Sequence, residues 1–194
     1  MPKLLIVGGG KMGFAIAQGI TSKNIYKKQD IVILEKNSDR RSFIKKSGYM
    51  VLSKFPDSLK NRFQITILAV KPNDIKEVLQ DLKGLISKKT LIISIAAGIK
   101  ISLISLCTSK EQPISRIMPN LPVEISKGVI AVTFNNKVTK LYKSKVNQMF
   151  STLGKTFELP EDDFDLTGRR TVAKKRRVIM GISVCIRTCT LKHQ

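Results

Sequence analysis

The chain is poor in the residues that staple or metallate small proteins, with three cysteines and one histidine among 194 residues. Cys107, Cys185 and Cys189 provide no disulfide framework and suit a reducing compartment, so a cytoplasmic setting is expected. Cys185, Cys189 and His193 lie close together, but their spacing matches no common zinc pattern and further ligands are lacking, so no metal site is expected. No apolar stretch approaches the roughly 20 residues of a membrane helix. Met1-Pro2-Lys3 runs straight into an apolar strand pattern without a cleavage site, so no secretory leader is expected either. Internal repeats and low-complexity linkers are also missing. Acidic residues are scarce: 14 Asp and Glu stand against 35 Lys and Arg, a net charge of +21. The imbalance is uneven. Residues 167–194 hold eight basic groups and no acidic one, leaving 27 basic and 14 acidic groups on the first 166. Over those 166 the lysines are scattered, as on a solvated basic surface.

What is present is a core-forming pattern, with 42% hydrophobic residues. Short apolar runs at Lys3–Gly8, Ile31–Glu35, Ile65–Val70, Thr90–Ile95, Ile114–Met118 and Val129–Phe134 predict strands. Helical spacing predicts helices over Lys11–Ser22, Ser38–Lys46 (capped by Ser38 or Asp39), Ile75–Leu82 and Ser102–Cys107, and again from Val138 to Leu153. Strands apolar throughout, alternating with amphipathic helices, predict a parallel sheet covered on both faces. The fold class is therefore α/β, a Rossmann-type, doubly wound, mostly parallel sheet over residues 1–160, with a basic C-terminal tail after it.

Gly8-Gly9-Gly10-Lys11-Met12-Gly13 is a G-x-G-x-x-G between Val7, at the end of the first predicted strand, and the first predicted helix. In that context Gly8 makes the tight turn, Gly10 lets a pyrophosphate approach the backbone, and Gly13 lets the helix pack on the strand. A phosphate then sits on the free N–H groups of the helix N-terminus. Glu35 stands 22 positions beyond Gly13, where a carboxylate can accept the adenosine ribose hydroxyls. Glu35 favours NAD, whereas Lys36, Arg40 and Arg41 just beyond it can pair with the 2′-phosphate of NADP. The expected cofactor is NADH or NADPH, with the balance tipped toward NAD. Three more segments end strands where the crevice of an open sheet lies: Ala69-Val70-Lys71-Pro72-Asn73, Ser94-Ile95-Ala96-Ala97-Gly98 and Arg116-Ile117-Met118-Pro119-Asn120-Leu121-Pro122.

Taken together, these segments resemble pyrroline-5-carboxylate reductase over Met1 to about Leu166. The resemblance includes Leu153-Gly154 and the acidic stretch Glu161 to Asp165. It implies NAD(P)H-dependent reduction of the cyclic imine pyrroline-5-carboxylate to L-proline, with that small molecule as substrate. It also implies that Val70, Lys71, Pro72, Ala96 and Ala97 line the cofactor, with Asn120 near the nicotinamide.

The family pattern is departed from after Thr167. Relatives continue into a glycine-serine-glycine-proline loop and a helical domain that binds substrate and builds the dimer. Here Gly168 leads to Arg169-Arg170 and then Lys174-Lys175-Arg176-Arg177. Residues 161–194 are expected to be the start of that second domain followed by unrelated basic sequence, as a frameshift or early stop would produce. No catalytic residue is carried over. Cofactor binding with little or no turnover is expected, and a family-type homo-oligomer is not. The alternative reading is a non-catalytic nucleotide-binding module whose basic tail binds nucleic acid. The tail lacks the aromatic residues that stack on bases, which argues against it. Another imine or 2-hydroxy acid dehydrogenase sharing only the Rossmann half is the third reading.

Overall fold

The computed structural model describes residues 3–119 and 128–164, so Asn120, the basic tail, and Cys185, Cys189 and His193 lie outside the described residues. The chain divides into two compact units at Glu161–Asp162, and the whole sheet belongs to the first.

Eight strands form one sheet in the order β3-β2-β1-β4-β5-β6-β7-β8. The elements are β1 (Leu4–Val7), α1 (Lys11–Ser22), β2 (Ile31–Leu34), α2 (Ser38–Lys46), β3 (Met50–Leu52), β4 (Ile65–Leu68), α3 (Ile75–Asp81), β5 (Leu91–Ser94), α4 (Ile101–Cys107), β6 (Ile114–Pro119), β7 (Gly128–Phe134), α5 (Lys140–Phe150), β8 (Gly154–Glu158) and α6 (Glu161–Phe164). Strands β1 to β6 run parallel, as continuous apolar runs such as Leu4-Leu5-Ile6-Val7 require when both faces are buried. Strand β7 pairs antiparallel with β6, and β8 follows β7 in parallel.

Alternation along each strand splits the core in two. Leu4 and Ile6 pack on one face with Phe14, Ile16, Ala17 and Ile20 of α1 and Val146, Met149 and Phe150 of α5. Leu5 and Val7 point the other way, to Ile75, Val78 and Leu79 of α3 and Ile104 of α4. Burying each of these side chains other than Ala17 contributes about 1.5–3 kcal/mol, so the two layers dominate the stability of the domain.

Strand order reverses at β1: the chain winds outward to β2 and β3, then returns to β4 on the other side. That reversal opens a crevice beyond the carboxyl ends of β1 and β4, the place where open α/β sheets hold ligands.

Three local features differ from the expectations. The α2 cap is Asn37, whose side chain accepts the Arg40 N–H at 2.8 Å, rather than Ser38 or Asp39. One residue earlier is enough, because the cap must lie outside the first helical turn. Strand β3 is three residues long and ends the sheet at one side, and β8 carries no apolar run (Gly-Lys-Thr-Phe-Glu). Neither pattern announces a strand, and both are held by pairing with a neighbour rather than by burial on two faces.

Candidate functional site

The glycine turn sits at the head of the crevice. Gly8 has φ +100, a conformation that side chains rarely adopt, and an added Cβ would lie 2.5 Å from the Ala69 carbonyl oxygen. At Gly13 a Cβ would strike the Gly8 carbonyl oxygen, so α1 can start this close to β1 only with glycine there. Gly10 is different. Its φ of −60 suits any residue and a Cβ would meet nothing within 4 Å. Neither backbone strain nor packing calls for glycine at Gly10, and its lack of a side chain leaves the space beside it open.

Gly10 is also the N-cap of α1, and no side chain caps this twelve-residue helix or puts an acid in its first turn. Its leading N–H groups and the positive end of its dipole therefore face the crevice, with Lys11 exposed beside them. A diphosphate fits this cradle: it needs backbone donors, a positive field and room where a Cβ would stand.

Gly9 is held on both sides. Its N–H donates to Glu35 Oε2 at 2.8 Å, and its carbonyl accepts from Arg40 Nε at 2.6 Å. The other Glu35 oxygen accepts the Asn37 N–H at 2.8 Å. The Arg40 guanidinium lies 5.1 Å from the Phe14 ring centroid and 4.7 Å from that of Phe43, which accounts for an aromatic ring left half exposed on α2. Arg41 turns back on its own loop, donating to the Glu35 and Lys36 carbonyls. Lys36 Nζ reaches across to Glu77 Oε1 on α3 at 2.7 Å, between two exposed side chains. That hydrogen bond pushes the Lys36 ammonium above its ordinary range and the Glu77 carboxyl below. The three cations beyond β2 thus all have protein partners. Glu35 keeps unused lone pairs but also braces the turn.

Deeper in the crevice is a cavity of about 340 Å³ lined by Met12, Ala69, Val70, Lys71, Pro72, Ile95, Ala96, Ala97, Arg116, Ile117, Met118 and Pro119. Its size suits one ring system with its substituents rather than a whole dinucleotide. Seven of the residues expected at the site (Met12, Ala69, Val70, Lys71, Pro72, Ala96 and Ala97) line it. Val7, Gly8, Gly10, Lys11 and Gly13 form the turn above, and Glu35 stands apart beyond the glycine turn. The sequence alone points to no role for Arg116, Ile117, Met118 or Pro119, although their segment ends a strand at the crevice. An arginine within a buried strand was the available signal.

Among the described residues no group of three His, Cys, Asp or Glu could hold a metal ion. No described helix is long and apolar enough to cross a membrane.

The fold recurs in known proteins. Residues 3–98 match the family model described as NADP oxidoreductase coenzyme F420-dependent. A pyrroline-5-carboxylate reductase of Aquifex aeolicus is 34% identical over 162 residues, covering 82% of this chain and 58% of that protein. The solved pyrroline-5-carboxylate reductase of Coxiella burnetii superposes with a TM-score of 0.79 at 25% identity, over 99% of this chain and 71% of that one. The Plasmodium falciparum pyrroline carboxylate reductase, solved with NADP bound, gives 0.75 at 27% identity, over 100% and 71%. The chain spans less than two thirds of the length of the first curated relatives it matches. Through the Rossmann-type domain, the chain is similar to the pyrroline-5-carboxylate reductases.

Proposed function

We propose that the crevice binds NADPH or NADH, and that this domain supplies the cofactor half of the reduction of 1-pyrroline-5-carboxylate to L-proline. One observation carries the reading: an uncapped helix N-terminus, with open space at Gly10, stands at the point where strand order reverses.

The first turn of α1 holds the pyrophosphate through its backbone donors, with Lys11 adding positive charge. Glu35 receives the adenosine ribose through the lone pairs left by Gly9 and Asn37. Val70, Pro72, Ala96 and Ala97 form the mostly apolar wall of the inner cavity, which keeps one face of a flat ring dry and fixes its height. The bound reduced nicotinamide supplies the hydride that the imine carbon accepts. The chain's own contribution is to hold that ring still and in register, the positioning on which a bimolecular transfer depends. The resemblance puts Asn120 at the nicotinamide end, which follows Pro119 in the chain. The reading carries a small-molecule substrate and a cytoplasmic setting with it.

The test is a titration of the purified chain with NADPH and with NADH, followed by nicotinamide fluorescence. The chain has no tryptophan to obscure the signal. Saturable binding of either, displaced by the oxidised form, is expected. No binding of either at millimolar concentration would overturn the proposal.

A further inference from the structure

Among the described residues Arg116 is the largest fully buried side chain, 1% exposed on β6, and nothing in the proposed cofactor binding uses it. It lines the inner cavity and pairs with Glu161, Nη1 to Oε1 at 3.4 Å. The same Glu161 oxygen accepts the Ile101 backbone N–H at 2.7 Å. Ile101 ends the segment that leaves β5 and carries Ala96 and Ala97, and Gly98 within it has φ +74. At the other end of the segment, the Ser94 hydroxyl accepts the Ala96 N–H at 3.3 Å, and Ser94 stands in register with Arg116. The cavity wall is therefore fastened at both ends: to β5 through Ser94, and to β6 through Ile101, Glu161 and Arg116.

We infer that Arg116 and Glu161 are positioning residues that set the Ala96–Ala97 wall at the height the bound ring needs. The inference rests on the reading of the crevice as the cofactor site. Two features favour positioning over plain stabilisation. The fastening acts at one backbone amide 60 residues away in sequence, at the end of a segment whose glycine conformation gives it freedom to shift. The arginine itself also forms part of the cavity lining, so any displacement of the pair changes the shape of the cavity directly. The glutamate is 27% exposed and can exchange protein for solvent contacts, whereas the arginine cannot.

The experiment compares the full chain with E161A and E161Q by reduced-dinucleotide titration, thermal melting and amide hydrogen exchange. In E161A, the dissociation constant should rise about tenfold, as for loss of a charge-assisted contact that orders the site. Exchange should speed up across the Ala96–Ile101 amides, not at Ile101 alone. In E161Q, which keeps an acceptor for the Ile101 N–H, exchange should return toward wild type and affinity recover in part. A lowered melting temperature, with affinity and Ala96–Ile101 exchange unchanged in the folded E161A protein, would make the pair merely structural and overturn the inference. If the wild-type chain binds no dinucleotide, the reading of the crevice fails. The exchange comparison, which needs no ligand, still decides whether Glu161 orders the wall.

Discussion

Replacing Gly10 by alanine separates the cost of folding from the cost of binding. The backbone there is already at φ −60, so alanine fits without strain, and its methyl group would point into empty space. The folded chain should lose only the difference between glycine and alanine as an N-cap, about 0.5–1 kcal/mol. For a chain of this size that lowers the melting temperature by roughly 1–4 °C. Binding should suffer far more, because in the proposed site the methyl would stand where a diphosphate approaches the N–H groups of α1. Each charge-assisted hydrogen bond lost is worth about 1.5–3 kcal/mol. One such bond weakens affinity roughly 10- to 150-fold. Gly13 is the control with the opposite signature. There the methyl meets the Gly8 carbonyl oxygen, and the strain of about 1–3 kcal/mol falls on the fold itself. G13A should therefore melt clearly lower than G10A. Differential scanning calorimetry, with the fluorescence titration on the same samples, reads both quantities. A G10A protein that binds reduced dinucleotide as tightly as wild type would refute the placement of the diphosphate. A collapse of its melting temperature would refute the claim that the space at Gly10 is open.

Phe150, fully buried where α5 meets the sheet, should cost about 3–5 kcal/mol when cut to alanine, measured as a lower urea midpoint. The Lys36 hydrogen bond lowers the Glu77 carboxyl from its ordinary 4.5, so the pair's small stabilisation is present above that pH and fades below it. The difference in melting temperature between wild type and E77Q should accordingly shrink toward zero in acid and in molar salt. Burial raises the phenols of Tyr26, Tyr49 and Tyr142 above their ordinary 10.0. Their neutral forms are favoured in the fold, so stability is full below pH 10 and is lost as pH rises through the folded-state values. Y26F should melt with a shallower alkaline decline than wild type, and an equal decline would contradict this assignment.

The centre of the fold was legible in the sequence because its strands are buried on both faces and cannot hide. Ile65-Thr66-Ile67-Leu68 and Leu91-Ile92-Ile93-Ser94 read as strands from composition alone. The margins were not legible. Met50-Val51-Leu52 is too short for a period, and Gly154–Glu158 alternates charge with small and aromatic residues. Such strands are defined by what they pair with, which is a property of the tertiary structure. The glycine turn was legible because its geometry demands particular residues at fixed spacing. The grip of Arg40 on Gly9 was not, because it joins positions 31 apart through a side chain that reads as one more surface cation. Arg116 and Glu161 escaped notice for the same reason, at a separation of 45.

The double grip on Gly9 bears on how fast a ligand can be taken up. A glycine-rich turn free in solution samples many conformations, and a ligand that must select one is slowed by the fraction of molecules ready for it. Here Glu35 fixes the amide and Arg40 the carbonyl before anything arrives, and the Phe14 and Phe43 rings hold Arg40 in place. Association at this turn should then be a single bimolecular phase whose rate rises linearly with ligand concentration, with no plateau from a preceding rearrangement.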